Sequence, residues 1–466
     1  DDTVKVGNDD CIRLQFMPAN PQDFGFRGEL YVLNDSSLHV RRCDMQLPAG
    51  TGVNFVAAMK FKQEYSKLPE SGDWVLTKDD MMAELELVSM LRQVLVVRTT
   101  SLQDYSFAPI DPRLFKGKAK KTYDPNAKLR DDEFWAQHRS TALTKGERNM
   151  GDFIKRMGRT KGFKTVMFVF KTFMENFVET GSENTPSKVD IGPVNTFISK
   201  NYTDGIRLRA SARTTANLSP HWFAEGYYAY GTKSKSHYYG SKITYSFNKP
   251  EYQPTEFPIR TLSFESYRDL ESPSDKYLVH NKDNIFMTFR PVKVEKLYLF
   301  NRQRLGFQWE TDYGLSTQLK LNTESNRPMG KLIYERMDGS FVDKVRMTSL
   351  TLGFDYRPGQ SYINSKQRRF EVNLDAPQFT LSHTIGLKNV LGGQFSYNLT
   401  EFSAYKRIWF GSWGKFDMRL KAGAQWNKVP YHLLIMPPVN TSYFEHQGSF
   451  NLMENLEFLN DRYAQF

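Results

Sequence analysis

Cysteine is scarce in this sequence and a long apolar run is missing. Only Cys11 and Cys43 occur in 466 residues. Two thiols without a neighbouring ligand pattern make a poor metal site. Both fall in strand-forming sequence of one N-terminal segment, where a disulfide and two separately buried thiols are equally open. No stretch of about 18 or more apolar residues exists, which argues against a spanning helix. The richest stretch, Val166 to Phe170, is closed in by Lys164 and Lys171. The chain opens on Asp1 and Asp2 rather than on a cleavable leader, so an exported form implies a leader removed or not shown.

Motifs for chemistry are absent too. The eight histidines, His39, His138, His221, His237, His280, His383, His432 and His446, form no His-x-x-x-His or Cys/His cluster. There is no Gly-x-Ser-x-Gly elbow and no P-loop. No catalytic residue, metal or cofactor is therefore expected. Ser382 and His383 are the one pair to weigh, as parts of a barrel lipid hydrolase. Neighbours on a strand point to opposite faces, however, so Ser382 cannot serve His383. The net charge of +11 comes without any zinc-finger, RNP or helix-turn-helix signature, so nucleic acid is not an expected partner. Its short clusters, such as Lys116 to Lys121, read as solvated loops, with anionic lipid head groups the next partner.

What is present is aromatic and alternating. Aromatics form 14% of the chain, although mean hydropathy is only −0.57. That combination suits sheets with one apolar and one polar face. Residues 1–110 read as an antiparallel β-sheet module of short strands. Residues 111–185 read as a helical connector, with helices opening at Asp131-Asp132-Glu133, over Met150 to Met157, and over Phe163 to Val178 closed by Gly181. The apolar face of the third helix is expected to pack against a neighbouring module, with an interfacial membrane helix as the alternative.

Over residues 186–466 the period becomes two. Ile206, Leu208, Ala210 and Ala212 alternate with Arg207, Arg209, Ser211 and Arg213. The same alternation runs through Tyr313–Asn322, Leu350–Arg357, Gln394–Thr400 and Phe416–Trp426. Segments of about 9–11 residues suit tilted strands that cross a bilayer. Tyr230, Tyr298, Tyr313, Tyr356, Trp409 and Trp426 stand near segment ends, as interfacial girdles require. The fold class is thus mainly β: an antiparallel transmembrane β-barrel of about ten to twelve segments, with an incomplete barrel left open. Polar loops around Asp269–Asp283, Asn322–Lys344 and Gly359–Gln367 are expected at the exterior. On the polar parity, Arg207, Arg209, Arg213, Lys320, Arg357, Arg419 and Lys421 would line a lumen, balanced in part by Glu310, Asp355 and Asp417. A basic lumen would favour anions or an acidic peptide, whereas paired charges would simply fill the barrel.

Several phrases carry a resemblance. They are Ile191-Gly192-Pro193, Gly205-Ile206-Arg207-Leu208-Arg209, Arg213-Thr214-Thr215-Ala216-Asn217-Leu218-Ser219, Tyr245-Ser246-Phe247-Asn248, Asn373-Leu374-Asp375-Ala376-Pro377, Leu381-Ser382-His383-Thr384, Ala424-Gln425-Trp426-Asn427-Lys428-Val429-Pro430 and Asn460-Asp461-Arg462-Tyr463-Ala464. Together they resemble a Gram-negative outer-membrane family with an N-terminal carboxypeptidase-regulatory-like domain and a barrel related to the BamA-type surface-antigen superfamily. The resemblance covers roughly residues 20–466. It implies an outer-membrane location with the N-terminal part in the periplasm, and a role in membrane biogenesis or protein transport. It also implies contact with outer-membrane lipids, lipopolysaccharide and other envelope proteins, and strands beyond Tyr463. The complete regulatory-like domain is not present. The Arg-Gly-aromatic motif of BamA-type barrels is missing too, with only Arg27-Gly28 in the N-terminal module. A non-catalytic accessory barrel subunit is the rival role.

Overall fold

In a computed structural model, residues 2–19, 25–47, 56–85, 94–111, 130–139, 141–182, 185–277, 281–288, 290, 293–336, 338–373, 375–410, 414–444 and 448–466 are described. The basic cluster Lys116 to Lys121, His280 and His446 lie outside them. The chain divides into two compact units, Asp1–Met157 with Phe410–Gly414, and Gly158–Trp409 with Lys415–Phe466. The division falls inside the expected connector.

The first unit holds a seven-stranded antiparallel meander in sequence order. Its strands are β1 (Asp2–Val6), β2 (Asp9–Phe16), β3 (Arg27–Leu33), β4 (Val40–Leu47), β5 (Val56–Lys67), β6 (Trp74–Leu85) and β7 (Val94–Ser101). Cys11 pairs with Leu33 and Cys43 with Leu30, so β3 separates the cysteines. Strands two places apart lie roughly 9–10 Å from each other, beyond the ~7 Å reach of a disulfide. Both thiols are free and buried, and the disulfide alternative is corrected. Burial raises the pKa of each thiol above its ordinary value, which suppresses the reactive thiolate. Neither is expected to react with a thiol reagent in the folded protein. Both should label at once in denaturant, and reduction should leave gel mobility unchanged.

Helix α1 (Asp132–His138) starts where three acids suit the helix dipole, with the Asp131 side chain accepting from Phe134 N. Helix α2 (Lys145–Arg159) follows. In the second unit, α3 (Phe163–Glu175) ends at left-handed Asn176 rather than at Gly181, because the Asn176 N–H closes the last turn on Thr172 O. Among the described residues no helix is long and apolar enough to cross a membrane.

The rest of the second unit is one large antiparallel sheet. Short strands β8 (Val178–Glu179), β9 (Val189–Ile191) and β10 (Ile198–Asn201) lead into ten long ones. These are β11 (Gly205–Thr214), β12 (Trp222–Gly231), β13 (His237–Ser246), β14 (Arg260–Glu271), β15 (Lys296–Glu310), β16 (Leu315–Gly330), β17 (Val345–Tyr356), β20 (Gln378–Gly386), β21 (Tyr397–Trp409) and β22 (Lys415–Gln425). The hairpin β18 (Tyr362–Asn364) and β19 (Arg369–Glu371) is separate, and β23 (Arg462–Gln465) pairs with β22. The sheet path runs from β23 to β8, and among the described residues no pairing closes it into a barrel.

Register shows why the period is two. Leu319 pairs with Leu352 and Leu352 with His383, and this row continues through Thr400 and Ala424 on one face. Along that face Leu208, Ile243, Phe264, Leu305, Leu319 and Leu352 are all exposed. The opposite face carries the charges, and there Arg207, Asp269, Glu271, Glu310 and Glu324 are buried. A water-soluble sheet distributes polarity the other way round.

The loops sort to the two ends of the strands. Connections 272–295, 331–344, 387–396 and 426–461 share one end, whereas 215–221, 247–259, 311–314 and 357–377 share the other. The segment Gly359–Gln367 thus lies opposite the two loops it was expected to join. At the first end the loops fold back onto the polar face. Tyr298, Phe300, Leu332, Tyr334 and Val345 form a buried cluster there, with Phe395, Tyr431 and Leu456 packed against it. Two expectations fail for that reason. Tyr298 is a core residue, not a girdle aromatic. In β21 the outward residues are Thr400, Phe402 and Ala404, while Tyr397 and Leu399 face inward and Phe395 sits in a loop.

Candidate functional site

The alternation of β11 delivers Arg207, Arg209 and Arg213 to the polar face in steps of two. Arg207 is 0% exposed. Its Nη1 lies 2.8 Å from Asp269 Oδ1 and 3.4 Å from Asp204 Oδ2. Its Nη2 donates to Asp269 Oδ2 at 2.9 Å, and its Nε is 3.3 Å from Asp283 Oδ1. The Tyr238 ring covers the guanidinium at 4.6 Å. Each carboxylate is held in turn. Asp204 accepts from Asn201 Nδ2, Ser234 Oγ and Tyr238 OH. Asp269 accepts from Tyr227 OH at 2.5 Å. Asp283 comes from the 272–295 loop and accepts from Arg209 Nη1 at 2.8 Å. Lys282 of that loop reaches Asp269 and Asp283 at 3.2 and 3.1 Å. Burial pushes the Asp283 carboxyl up, but Lys282, Arg207 and Arg209 together hold it well below the usual carboxylate range.

This cluster opens on a cavity of about 510 Å³, lined also by Arg213, Glu265, Tyr267 and Arg302. Arg302 is itself held by Glu324 at 2.5 Å and Glu271 at 2.9 Å. Arg213 lies 3.9 Å from Asp190, bonds Gln367 and covers the Phe177 ring at 3.6 Å.

The other expected residues sit on the same face but in other places. Glu310 binds Arg369 at 2.7 Å. Arg357 binds Asp355 at 2.8 Å and also Glu371. Asp417 is exposed and binds Arg407 at 2.6 Å. Lys320 borders a cavity of about 220 Å³ with Lys242 and Arg304. Arg419 and Lys421 line one of about 320 Å³ together with Arg357 and Arg407. The dominant pattern is neutralisation. Asp204, Asp269, Asp283 and Tyr227, which complete the cluster, were not named from sequence. Asp269 was expected in an exterior loop but lies in β14 with the inward parity, because that strand runs on to Glu271. The return of Lys282 and Asp283 from their loop left no local signal.

His383 faces the apolar side, where its Nδ1 bonds Thr400 Oγ1 at 2.8 Å, and Ser382 points to the other face. No Ser–His pair is assembled there.

His432 belongs to the loop cover. Its ring lies 4.8 Å from that of Tyr334 and 5.5 Å from that of Phe395, and its Nε2 has no hydrogen-bond partner. Burial, aided by nearby Lys276, pushes its pKa down to about 4. An unfolded histidine titrates near ~6.5. Between these values the unfolded chain binds more protons, so folding stability is complete above about pH 6.5 and is lost towards pH 4. The loss is expected to reach roughly 3 kcal/mol. Unfolding midpoints measured across that window should fall, and His432→Phe should flatten the slope.

Residues 174–434, more than half of the chain, match the family described as "Family of unknown function (DUF5686) C-terminal domain". No curated protein matches the chain.

Proposed function

This chain belongs to the DUF5686 family of unknown function, and on that premise we propose that it is an outer-membrane β-barrel protein of BamA-like type. Its role in this reading is outer-membrane protein assembly or transport, with the seven-stranded module in the periplasm. One observation carries the membrane location: the large sheet turns apolar residues outward and buries ion-paired charges on its other face. Strands of 9 to 16 residues supply the length that crossing requires. A closed sheet leaves no unpaired backbone in lipid, so the working form must be closed by further pairing. The assembly role comes from the sequence resemblance. Its partners are then outer-membrane lipids, lipopolysaccharide and other envelope proteins.

One observation favours the rival reading of a non-catalytic accessory subunit. The 272–295 loop returns to the polar face and closes the Arg207 cluster with Lys282 and Asp283, as a plug would. Depletion of the protein in its native host, followed by quantitative proteomics of outer membranes, separates the two. The assembly role expects broad loss of other barrels or surface lipoproteins. Loss of this protein with only one or two companions would sink it and leave the accessory role.

A further inference from the structure

Helix α3 exposes apolar side chains along its whole length. Its Lys171, itself half-exposed, pairs with Glu179 of β8 at 3.2 Å and with Glu175 of the helix at 3.9 Å. Thr172 and Glu175 are half-buried. By contrast Val166, Met167, Phe170, Phe173 and Met174, spaced along one face, are 41–71% exposed. No residue of α3 is buried.

The helix is not loosely hung. Asn176 accepts from Val194 N through its carbonyl and from Asn195 N through its side chain, each at 2.9 Å. The Phe177 ring lies under Arg213. These bonds fix the helix end to the sheet edge, so the outward direction of its apolar face is set by the fold. From there the chain runs directly into β8 and β9, whose Ile191 pairs with Ala212 and begins the outward apolar row at that end. Lys161 and Lys164, both exposed, sit at the free end of the helix.

We propose that α3 is an in-plane membrane helix. Its Phe, Met and Val face lies in the boundary between head groups and acyl chains, with Lys161 and Lys164 among anionic phospholipid head groups. The leaflet is the one at the strand ends joined by 215–221 and 311–314. The inference rests on reading the sheet as membrane-spanning. Lipid is the occupant because the exposed apolar row of the sheet starts at Ile191, beside the end of the helix, and because the flanking charge is basic. The helix would anchor the start of the sheet to one leaflet and set the depth of the strands.

The test uses the full chain reconstituted in phosphatidylethanolamine–phosphatidylglycerol vesicles. Spin labels are placed at Phe170→Cys, at Met174→Cys and, on the sheet exterior, at Leu352→Cys, with the natural thiols left buried. Accessibility is read against oxygen, which partitions into lipid, and a nickel chelate, which stays in water. All three labels are expected to favour oxygen, with the two helix labels at shallower depth than Leu352→Cys. Water-exposed helix labels beside a lipid-exposed Leu352→Cys would overturn the helix alone. Helix labels shielded from both reagents would overturn it in favour of a protein partner or a second copy. A water-exposed Leu352→Cys would overturn the spanning sheet on which the inference stands.

Discussion

Arg207→Ala is expected to cost about 3–5 kcal/mol of stability, the usual range for removing one partner of a buried ion cluster. Among the described residues the guanidinium is the only group placed between Asp204, Asp269 and Asp283, all three of them buried. Without it two of the carboxylates keep partial relief. Lys282 still reaches Asp269 and Asp283, and Arg209 still reaches Asp283. Among the described residues Asp204 keeps only neutral donors, from Asn201, Ser234 and Tyr238. The penalty is that of leaving a buried charge without a charged partner. Arg207→Lys should recover only part of the loss, since an ammonium cannot serve three carboxylates in the directions a planar fork reaches. Adding Asp204→Asn to Arg207→Ala should return part of the stability, because the orphaned charge is removed with its partner. The measurement is the urea midpoint of protein folded in vesicles, read by loss of the compact, heat-modifiable band. Equal midpoints for Arg207→Ala and the unsubstituted protein would show that the cluster is not closed in the working form.

How much of this was legible in the sequence depends on which face a residue reports. Where the outward face meets one uniform medium, alternation is a direct record of it. The Ile206–Arg213 and Leu350–Arg357 segments are strands with the expected parity. Nine of the ten charged residues chosen from parity stand on strands with the inward parity, and Arg357 follows β17 directly. Near the strand ends covered by loops the inner face is apolar as well, since Tyr298, Phe300 and Val345 pack there. Alternation then stops distinguishing the faces, which is why the parity of Tyr397 and Leu399 was reversed. The partners of Arg207 escaped for another reason. Asp204 lies at a strand entrance and Asp283 in a long connection, so both meet the arginine only through long-range folding. Helix α3 shows the same lesson: a broad apolar face states that something apolar covers it, not which element does.

Leu352→Arg is the substitution that decides what that outward medium is. Leu352 lies in the interior of β17, between Leu319 and His383 on the neighbouring strands, and is 41% exposed. On a sheet in water an exposed leucine tolerates arginine within about 0.5 kcal/mol. At the midplane of a bilayer the same change costs roughly 2–4 kcal/mol, and near the interfaces about 0–1 kcal/mol. Tyr356, at the end of the same strand and on the same face, supplies the shallow position. Leu14 of β2, exposed to a similar degree, supplies a control in the module assigned to water. The expected order of destabilisation is therefore Leu352→Arg well above Tyr356→Arg, with Leu14→Arg near zero, read as unfolding midpoints of the full chain in vesicles. A graded dependence on position along β17 is the signature of a slab of hydrocarbon, because arginine can extend its guanidinium to the head groups only from near an interface. Three equal and small effects would mean that the exposed apolar row faces water or a protein partner. The outer-membrane reading would then fall with it, whatever the role of the ion cluster on the other face.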